Sequence, residues 1–346
     1  MEYIGIDVHR NSSQICILTE DGEYLERRCS TSRDSLRKHL GERAPGRILI
    51  EASTDSEWVA QVLEEFGHEV IVADPNFAPM YATRSRRVKT DRRDARALCD
   101  ACRLGAYRPA HRAPRERRQQ RAELRVRETL VFTRSKYISL IRSILRREGY
   151  RVASGAVEKF LDRLSTMSLP DELREEVTPL ITVMTVINEK IHEADQQLKA
   201  QVTGDPVATR LMTVPGVGPV TAATFIAVVD RVDRFPSARN ARAYLGVVPS
   251  ESSSGEKQHR GRITKTGDTR MRSLLVETAW CVLRSKKATA QPLREWAGRI
   301  SKRRGKRIAA VALARKLAGV LFAMWRDGTD FAEPRPANSQ EQQQAA

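Results

Sequence analysis

The sequence predicts three structural parts: an α/β layered domain, a helical coiled-coil-like middle, and a mainly α C-terminal domain with a helix–hairpin–helix-like element. Three patterns carry this reading. Short apolar blocks separated by turn residues open the chain. Apolar residues at alternating spacings of three and four follow. A Pro215-Gly216-Val217-Gly218 turn then separates two further helical segments. The implied boundaries are 1–112, 113–203 and 204–328, with 329–346 a polar, low-complexity tail expected to be disordered.

In "YIGIDVH", Ile4 and Ile6 face one side of a strand, with Tyr3, Gly5 and Asp7 on the other. "QICILTEDGEYLERRCS" reads as a hairpin turning at Asp21-Gly22, and "RILIEAS" as a third apolar strand ending at Glu51. "SEWVAQVLEEFG" has helical spacing through Trp58, Val62 and Phe66, and "HEVIVADP" is a further strand. "TDRRDARALCDACRLG" is a helix that starts at a Thr or Asp cap and stops at Gly105. Residues 116–149 form a long helix whose Val126, Leu130, Tyr137, Ile141 and Ile144 approach a seven-residue period. Met184, Ile187, Ile191, Ala194 and Leu198 mark a second long helix that pairs with it. After the Pro-Gly-Val-Gly turn, the polar stretch from Asn240 to Asp268 is expected to be an exposed loop, and helices resume at Thr269–Arg284 and Lys306–Trp325.

The 346 residues carry a net charge of +17, unevenly placed. Residues 103–151 hold 15 Arg/Lys against 4 Asp/Glu, and residues 255–316 hold 18 against 4. Residues 152–200 hold 5 against 9. Two basic regions flanking an acidic one suit a polyanion gripped in two places. No apolar run approaches the ~20 residues that span a bilayer, so no membrane partner is expected. Five Cys and an N-terminus without a secretory pattern give no disulfide framework and point to a reducing cytoplasm, where a nucleic-acid partner implies nucleoid association.

Four carboxylates form one candidate set. Asp7 and Glu51 end their strands and emerge at the same sheet edge if those strands are neighbours. Asp91 and Asp94 are three apart at a helix start and share a face. Such a group repels itself unless divalent cations neutralise it, and oxygen ligands suit a pair of Mg²⁺ or Mn²⁺ ions of the kind that cleaves phosphodiesters. Around the last two, "RSRRVKTDRRDAR" places Arg84, Arg86, Arg87 and Lys89 as phosphate contacts. The structural alternative makes Glu51 a cap for the following helix, Asp91 an N-cap and Asp94 a dipole-favoured N3 residue.

Ser252, Ser253, Ser254 and Gly255 lie before a cationic run in which Lys257, Arg260, Arg262 and Lys265 can neutralise a phosphate; a Ser/Gly linker is the other reading, with His259 simply solvated. Arg117 and Arg118, within the first basic region, are candidate nucleic-acid contacts, and Gly216 and Gly218 are placed to bring backbone N–H groups to a DNA phosphate. Cys99 and Cys102 make a single CxxC that lacks the two further ligands a zinc site requires.

"GIDVH", "IEAS" and "KTDRRDA", followed by "VPGVGPVTAATFIA" and "AYLGVVPSESSSGEKQHRGRITKTGDTRMRSLL", resemble in that order the signatures of the insertion-sequence transposases called the IS-one-ten family, which includes Piv-type DNA invertases. The resemblance covers nearly the whole chain. It implies a RuvC-like domain of the RNase H type with a DEDD set at Asp7, Glu51, Asp91 and Asp94, and a nucleophilic serine. The pattern of serine, then Ser or Thr, then Gly selects Ser253, with Ser254 the reserve because three serines and Glu256 depart from it. It further implies a structured noncoding bridge RNA joining donor and target double-stranded DNA, and a homo-tetramer that joins the carboxylate domain of one protomer to the serine domain of another. The expected activity is excision and insertion of the element by metal-assisted serine attack. Its rivals are a metal-dependent Holliday-junction-type nuclease using water, and a non-catalytic architectural DNA-binding protein.

Overall fold

The computed structural model describes residues 1–82, 90–254 and 257–331. It divides into two compact units, Met1–Ala113 and Pro114–Ala346. The basic run from Arg84 to Lys89 and the tail from 332 onward lie outside the described residues.

The first unit is a mixed sheet of β1 (Tyr3–Val8), β2 (Ser12–Leu18), β3 (Tyr24–Ser30), β4 (Arg47–Glu51) and β5 (Glu69–Ala73), in the order β3-β2-β1-β4-β5. The first three strands are antiparallel, with Gly22 at φ +85° in the expected turn. β4 lies parallel to β1, and β5 parallel to β4. Parallel strands need crossover connections. One is α1 (Arg33–Leu40), which the sequence reading missed; the other is α2 (Ser56–Glu65).

Ile4, Ile6, Ile48 and Ile50 pack in one core with Leu36 and Leu40 of α1 and Val59 and Leu63 of α2. The opposite face is covered by α3 (Asp91–Leu104), whose Ala95, Leu98, Cys99 and Cys102 are buried there. With both faces covered, β4 shows a continuous buried Ile48-Leu49-Ile50 run rather than alternation. α3 crosses β1 at Gly5, where a Cβ would fall 2.2 Å from both the Ala95 carbonyl oxygen and the Cys99 nitrogen. Only glycine permits that approach. The two α3 cysteines belong to this contact: Cys99 Sγ donates to Tyr3 O (3.1 Å) and Cys102 Sγ to Arg47 O (3.4 Å).

The second unit is largely helical. α4 (Arg115–Arg147) and α6 (Asp171–Thr203) form the expected pair, joined through α5 (Phe160–Ser165). Met184, Ile187, Ile191 and Leu198 are buried as their spacing requires. On α4 the period holds at Ile141, but Val126 is 60% exposed. In that half of α4 it is Leu124 that packs against the C-terminal core. At mid-helix the buried residue is Arg134, which donates to Asn188 Oδ1 (3.5 Å) and Glu158 Oε1 (3.4 Å).

There is no packing break at 203/204, because Leu198 and Val202 of α6 share a core with the helices that follow. These are α7 (Pro206–Leu211), α8 (Pro219–Val229), α9 (Ala238–Tyr244), α10 (Thr269–Arg284), α11 (Gln291–Arg304) and α12 (Lys306–Asp327). α12 corrects the hydropathy reading: it is long and apolar enough to cross a membrane by length and composition. It is the central helix of this core, burying Leu313, Leu317, Leu321 and Phe322.

The stretch expected to be a loop is instead α9 followed by an antiparallel ribbon of β6 (Pro249–Ser254) and β7 (Lys257–Ile263). Its base is closed by two glycines. A Cβ at Gly246 (φ +67°) would fall 2.0 Å from Thr266 O, and one at Gly267 (φ +75°) 2.0 Å from Tyr244 O.

Candidate active site

Parallel pairing of β1 with β4 brings Ile6 level with Ile50, so the residues that follow them, Asp7 and Glu51, come to the same edge of the sheet. Thr90 caps α3 by accepting from the Arg93 N–H (3.3 Å), leaving Asp91 free of the capping role and placing Asp91 and Asp94 in the first turn. Likewise α2 begins after Asp55, so Glu51 is not its cap. The packing at Gly5 sets α3 on β1 and thereby sets the two helix carboxylates against the two strand carboxylates.

The electrostatics report that convergence. Burial pushes the Asp7 carboxyl above its ordinary range, His9 pulls it down, and Asp94, Asp91 and Glu51 push it up again. His9 Nε2 lies 3.2 Å from Asp7 Oδ2 and 3.4 Å from Asp91 Oδ1. One ligand atom from each of Asp7, His9 and Asp91 falls within 4.8 Å of the others, a spacing that suits one cation. Asp94 is buried, and Glu51 accepts a hydrogen bond from the Tyr81 hydroxyl. Carboxylates crowded around Asp7 fit a divalent ion, because the ion removes the repulsion that raises the Asp7 pKa. His9 was missed by the sequence reading. Its position two residues after Asp7, which returns it to the same side of an extended chain, was the available signal.

In the second unit, Ser253 lies on β6 opposite Gln258, Ser254 opposite Lys257, and Ser252 opposite His259. The turn at Gly255 and Glu256 is outside the described residues. Lys257 and Arg260 lie on β7, Arg262 is exposed there, and Lys265 follows at φ +57° with its N–H bonded to Gly246 O (3.1 Å).

Of the other expected contacts, Arg117 and Gly216 have neighbours within the unit. Arg117 Nε lies 3.4 Å from the buried Asp230 carboxylate, and Arg118 is half-buried. At Gly216 (φ +83°) a Cβ would meet Thr278 O at 3.1 Å, so close packing on α10 accounts for this glycine. Gly218 precedes α8, with open space where a side chain would stand.

Carboxylates gathered at the strand ends of a mixed sheet, in a strongly basic chain, define a DEDD-type domain with divalent-metal dependence. The DEDD transposase model of IS110 type matches residues 4–149, and the model described as "Transposase IS116/IS110/IS902 family" matches residues 208–294. The chain belongs to this IS116/IS110/IS902 family of transposases, the family its motifs resemble. It is 30% identical over 341 residues to "Putative transposase y4pF/y4sB" of Sinorhizobium fredii, covering 95% of this chain and 85% of that one. It is 29% identical over 338 residues to "Transposase for insertion sequence element IS1328" of Yersinia enterocolitica, covering 95% and 98%. It is also 28% identical over 327 residues to "Probable family 20 transposase" of Pseudomonas aeruginosa, covering 93% and 96%.

Proposed function

We propose that this transposase excises and inserts its own insertion sequence by serine attack on DNA phosphate, with a RuvC-like carboxylate domain assisting. The reading is carried by the convergence of Asp7, Glu51, Asp91 and Asp94 in a chain that both family models match. The sheet order β3-β2-β1-β4-β5, an antiparallel meander continued by two parallel strands, supports the RuvC-like comparison.

The four carboxylates would hold Mg²⁺ or Mn²⁺, with two ions expected and His9 as a nitrogen neighbour. When bound, the metal supplies Lewis-acid polarisation of the scissile phosphate. Ser253 is the proposed nucleophile, and Ser254 the reserve. Its Oγ forms a bond to phosphorus as the P–O bond to the departing deoxyribose oxygen breaks, and the serine proton is lost as the leaving oxygen gains one. The phosphoserine ester keeps the bond energy needed for rejoining. Arg262 and Lys265, with Lys257 and Arg260 on the same ribbon, offset charge on the phosphate. The basic composition of residues 103–151 and 255–316 supports two nucleic-acid partners: donor and target DNA, and a bridge RNA. A homo-tetramer is the assembly such a paired reaction calls for.

The test is incubation of the protein with its element-end DNA, flanking RNA and Mg²⁺, followed by denaturing gels for a covalent protein–DNA adduct. An adduct that disappears in Ser253→Ala establishes serine recombination. An adduct that persists moves the role to Ser254. Cleavage without any adduct makes the protein a junction-type nuclease that uses water.

A further inference from the structure

The C-terminal end of α4 carries a recess that neither the carboxylates nor the serine ribbon uses. α4 ends in a Schellman motif. Gly149, at φ +84°, donates to Arg146 O (3.1 Å), while the Tyr150 N–H reaches Leu145 O (2.9 Å). This reversal packs Tyr150 into the core that holds Leu145 and Phe160. The chain then lines a recess of about 360 Å³ formed by Arg142, Arg146, Tyr150, Arg151, Val152 and Ser154. Arg142 and Arg146, four apart, share a helix face.

Among the described residues, Arg142, Arg146 and Arg151 have no carboxylate partner. The nearby acids are engaged elsewhere: Glu148 and Glu176 with Arg147 (2.8 Å each), and Glu158 with Arg134. Arg142 Nε is buried without a hydrogen-bond partner, and its guanidinium lies 5.5 Å from the Phe160 ring centroid. A buried donor left unpaired beside a cavity marks the place of an acceptor.

The larger recess of about 730 Å³ along α4 is different in kind. There Arg121 donates to Ala227 O and Val228 O, Arg127 pairs with Asp195, and Arg270 pairs with Glu128 and Glu277. With Arg127 and Arg270 held by acids and Arg121 by backbone carbonyls, Arg125 is the remaining cation of the lining, whereas among the described residues none of the three arginines at the α4 terminus has an acid. Three planar guanidinium forks without an acid form the donor set that phosphate oxygens accept from, often two at a time.

We propose that the recess at the end of α4 is a phosphate-binding site built by Arg142, Arg146 and Arg151, with Tyr150 and Ser154 hydroxyls at its wall, and that it takes a backbone phosphate of bound nucleic acid. The site is independent of the metal and serine chemistry, so either reading can fail without the other.

The test measures salt-dependent binding of the full chain to labelled duplex DNA for wild type, Arg146→Gln/Arg151→Gln and Arg147→Gln. Arg146 and Arg151 are exposed, so the double variant leaves the Arg142–Phe160 contact in place. Each duplex phosphate contact contributes about 0.9 to the slope of log K against log salt, so the double variant's slope falls by about 2. Its affinity at about 0.1 M salt drops roughly tenfold per arginine on the same relation. Arg147→Gln, which removes a charge already paired with two glutamates, moves the slope by less than half as much. In a second arm, inorganic phosphate is titrated calorimetrically into the same proteins. Phosphate binding lost in the double variant while the duplex slopes stay equal assigns the site to a free phosphate group and overturns the backbone assignment. Equal slopes and equal phosphate binding in all three proteins, or an Arg147→Gln that matches the double variant, overturns the site itself.

Discussion

The two sheets of this molecule are built to opposite specifications. The five-stranded sheet has helices on both faces, and Ile4, Ile6, Ile48, Leu49 and Ile50 are fully buried. The β6–β7 ribbon has two strands, and Ser250, Glu251, Gly261 and Arg262 at its described base are exposed. A two-stranded ribbon is marginal by itself, whereas a covered sheet holds positions tightly. Ligands for a metal ion must be held to within about 0.5 Å, and the candidate carboxylates stand on the covered sheet (Asp7, Glu51) and on the helix packed against it (Asp91, Asp94). The serine stretch is carried by an element whose stability must be supplemented from outside.

The largest test of this contrast is chemical. Asp7→Asn should lower strand cleavage about 10³-fold, with duplex binding changed only a few-fold, measured by cleavage assay and gel shift side by side. Full activity in the variant would remove Asp7 from the chemistry.

Gly5→Ala is next in size. Its methyl must displace backbone of α3, and it should cost about 3 kcal/mol in thermal or denaturant unfolding. The matching change in the ribbon, Gly261→Ala, meets only the Ser250 hydroxyl and should cost under about 0.5 kcal/mol. Equal costs would erase the distinction between the two sheets.

Metal gives a third test. Mg²⁺ or Mn²⁺ at about 100 times its Kd should stabilise the first unit by about 2.7 kcal/mol, and Asp7→Asn should abolish that gain. The Asp7 carboxyl lies above its ordinary value, so metal-free stability from this group is full below that value and is lost as pH rises through the raised one. Metal competes with the proton for the same oxygen, so the metal-induced rise in Tm should grow with pH across that window. A metal effect that shrinks as pH rises would break the assignment.

A smaller loss than at Gly5 is expected for Thr90→Ala, which removes the α3 cap and should cost about 1 kcal/mol in unfolding experiments. The loss should be recovered by Thr90→Ser.

The carboxylate set was legible because a charge at the end of an apolar strand is conspicuous, and Asp7 and Glu51 both show it. Whether their strands were neighbours was not legible, since pairing partners are chosen by tertiary packing. His9 shows itself only through its two-residue spacing from Asp7, because a lone histidine just past a strand has no pattern apart from that neighbour. Helix α1 escaped notice because only Leu36 and Leu40 of its eight residues are buried, too short a stripe to show a period. α11 escaped for the same reason, with Leu293 and Ala297 alone buried. In the ribbon, Ser and Gly composition signals turns, while the strands are defined by cross-strand pairing that composition does not record. On α4 the heptad reading placed Val126 inward, but that half of the helix packs through Leu124 against a different core.

The glycine contacts at the foot of the ribbon make it a detachable module. Gly246 against Thr266 and Gly267 against Tyr244 mean that the excursion leaves and re-enters the helical unit at one place. Closing a loop whose ends already meet costs little more when the loop is lengthened or exchanged. The ribbon's length can therefore change while the helices beneath register no change in stability. Replacing residues 248–264 with a short Gly-Ser link should leave the unfolding of the helical unit nearly as it was.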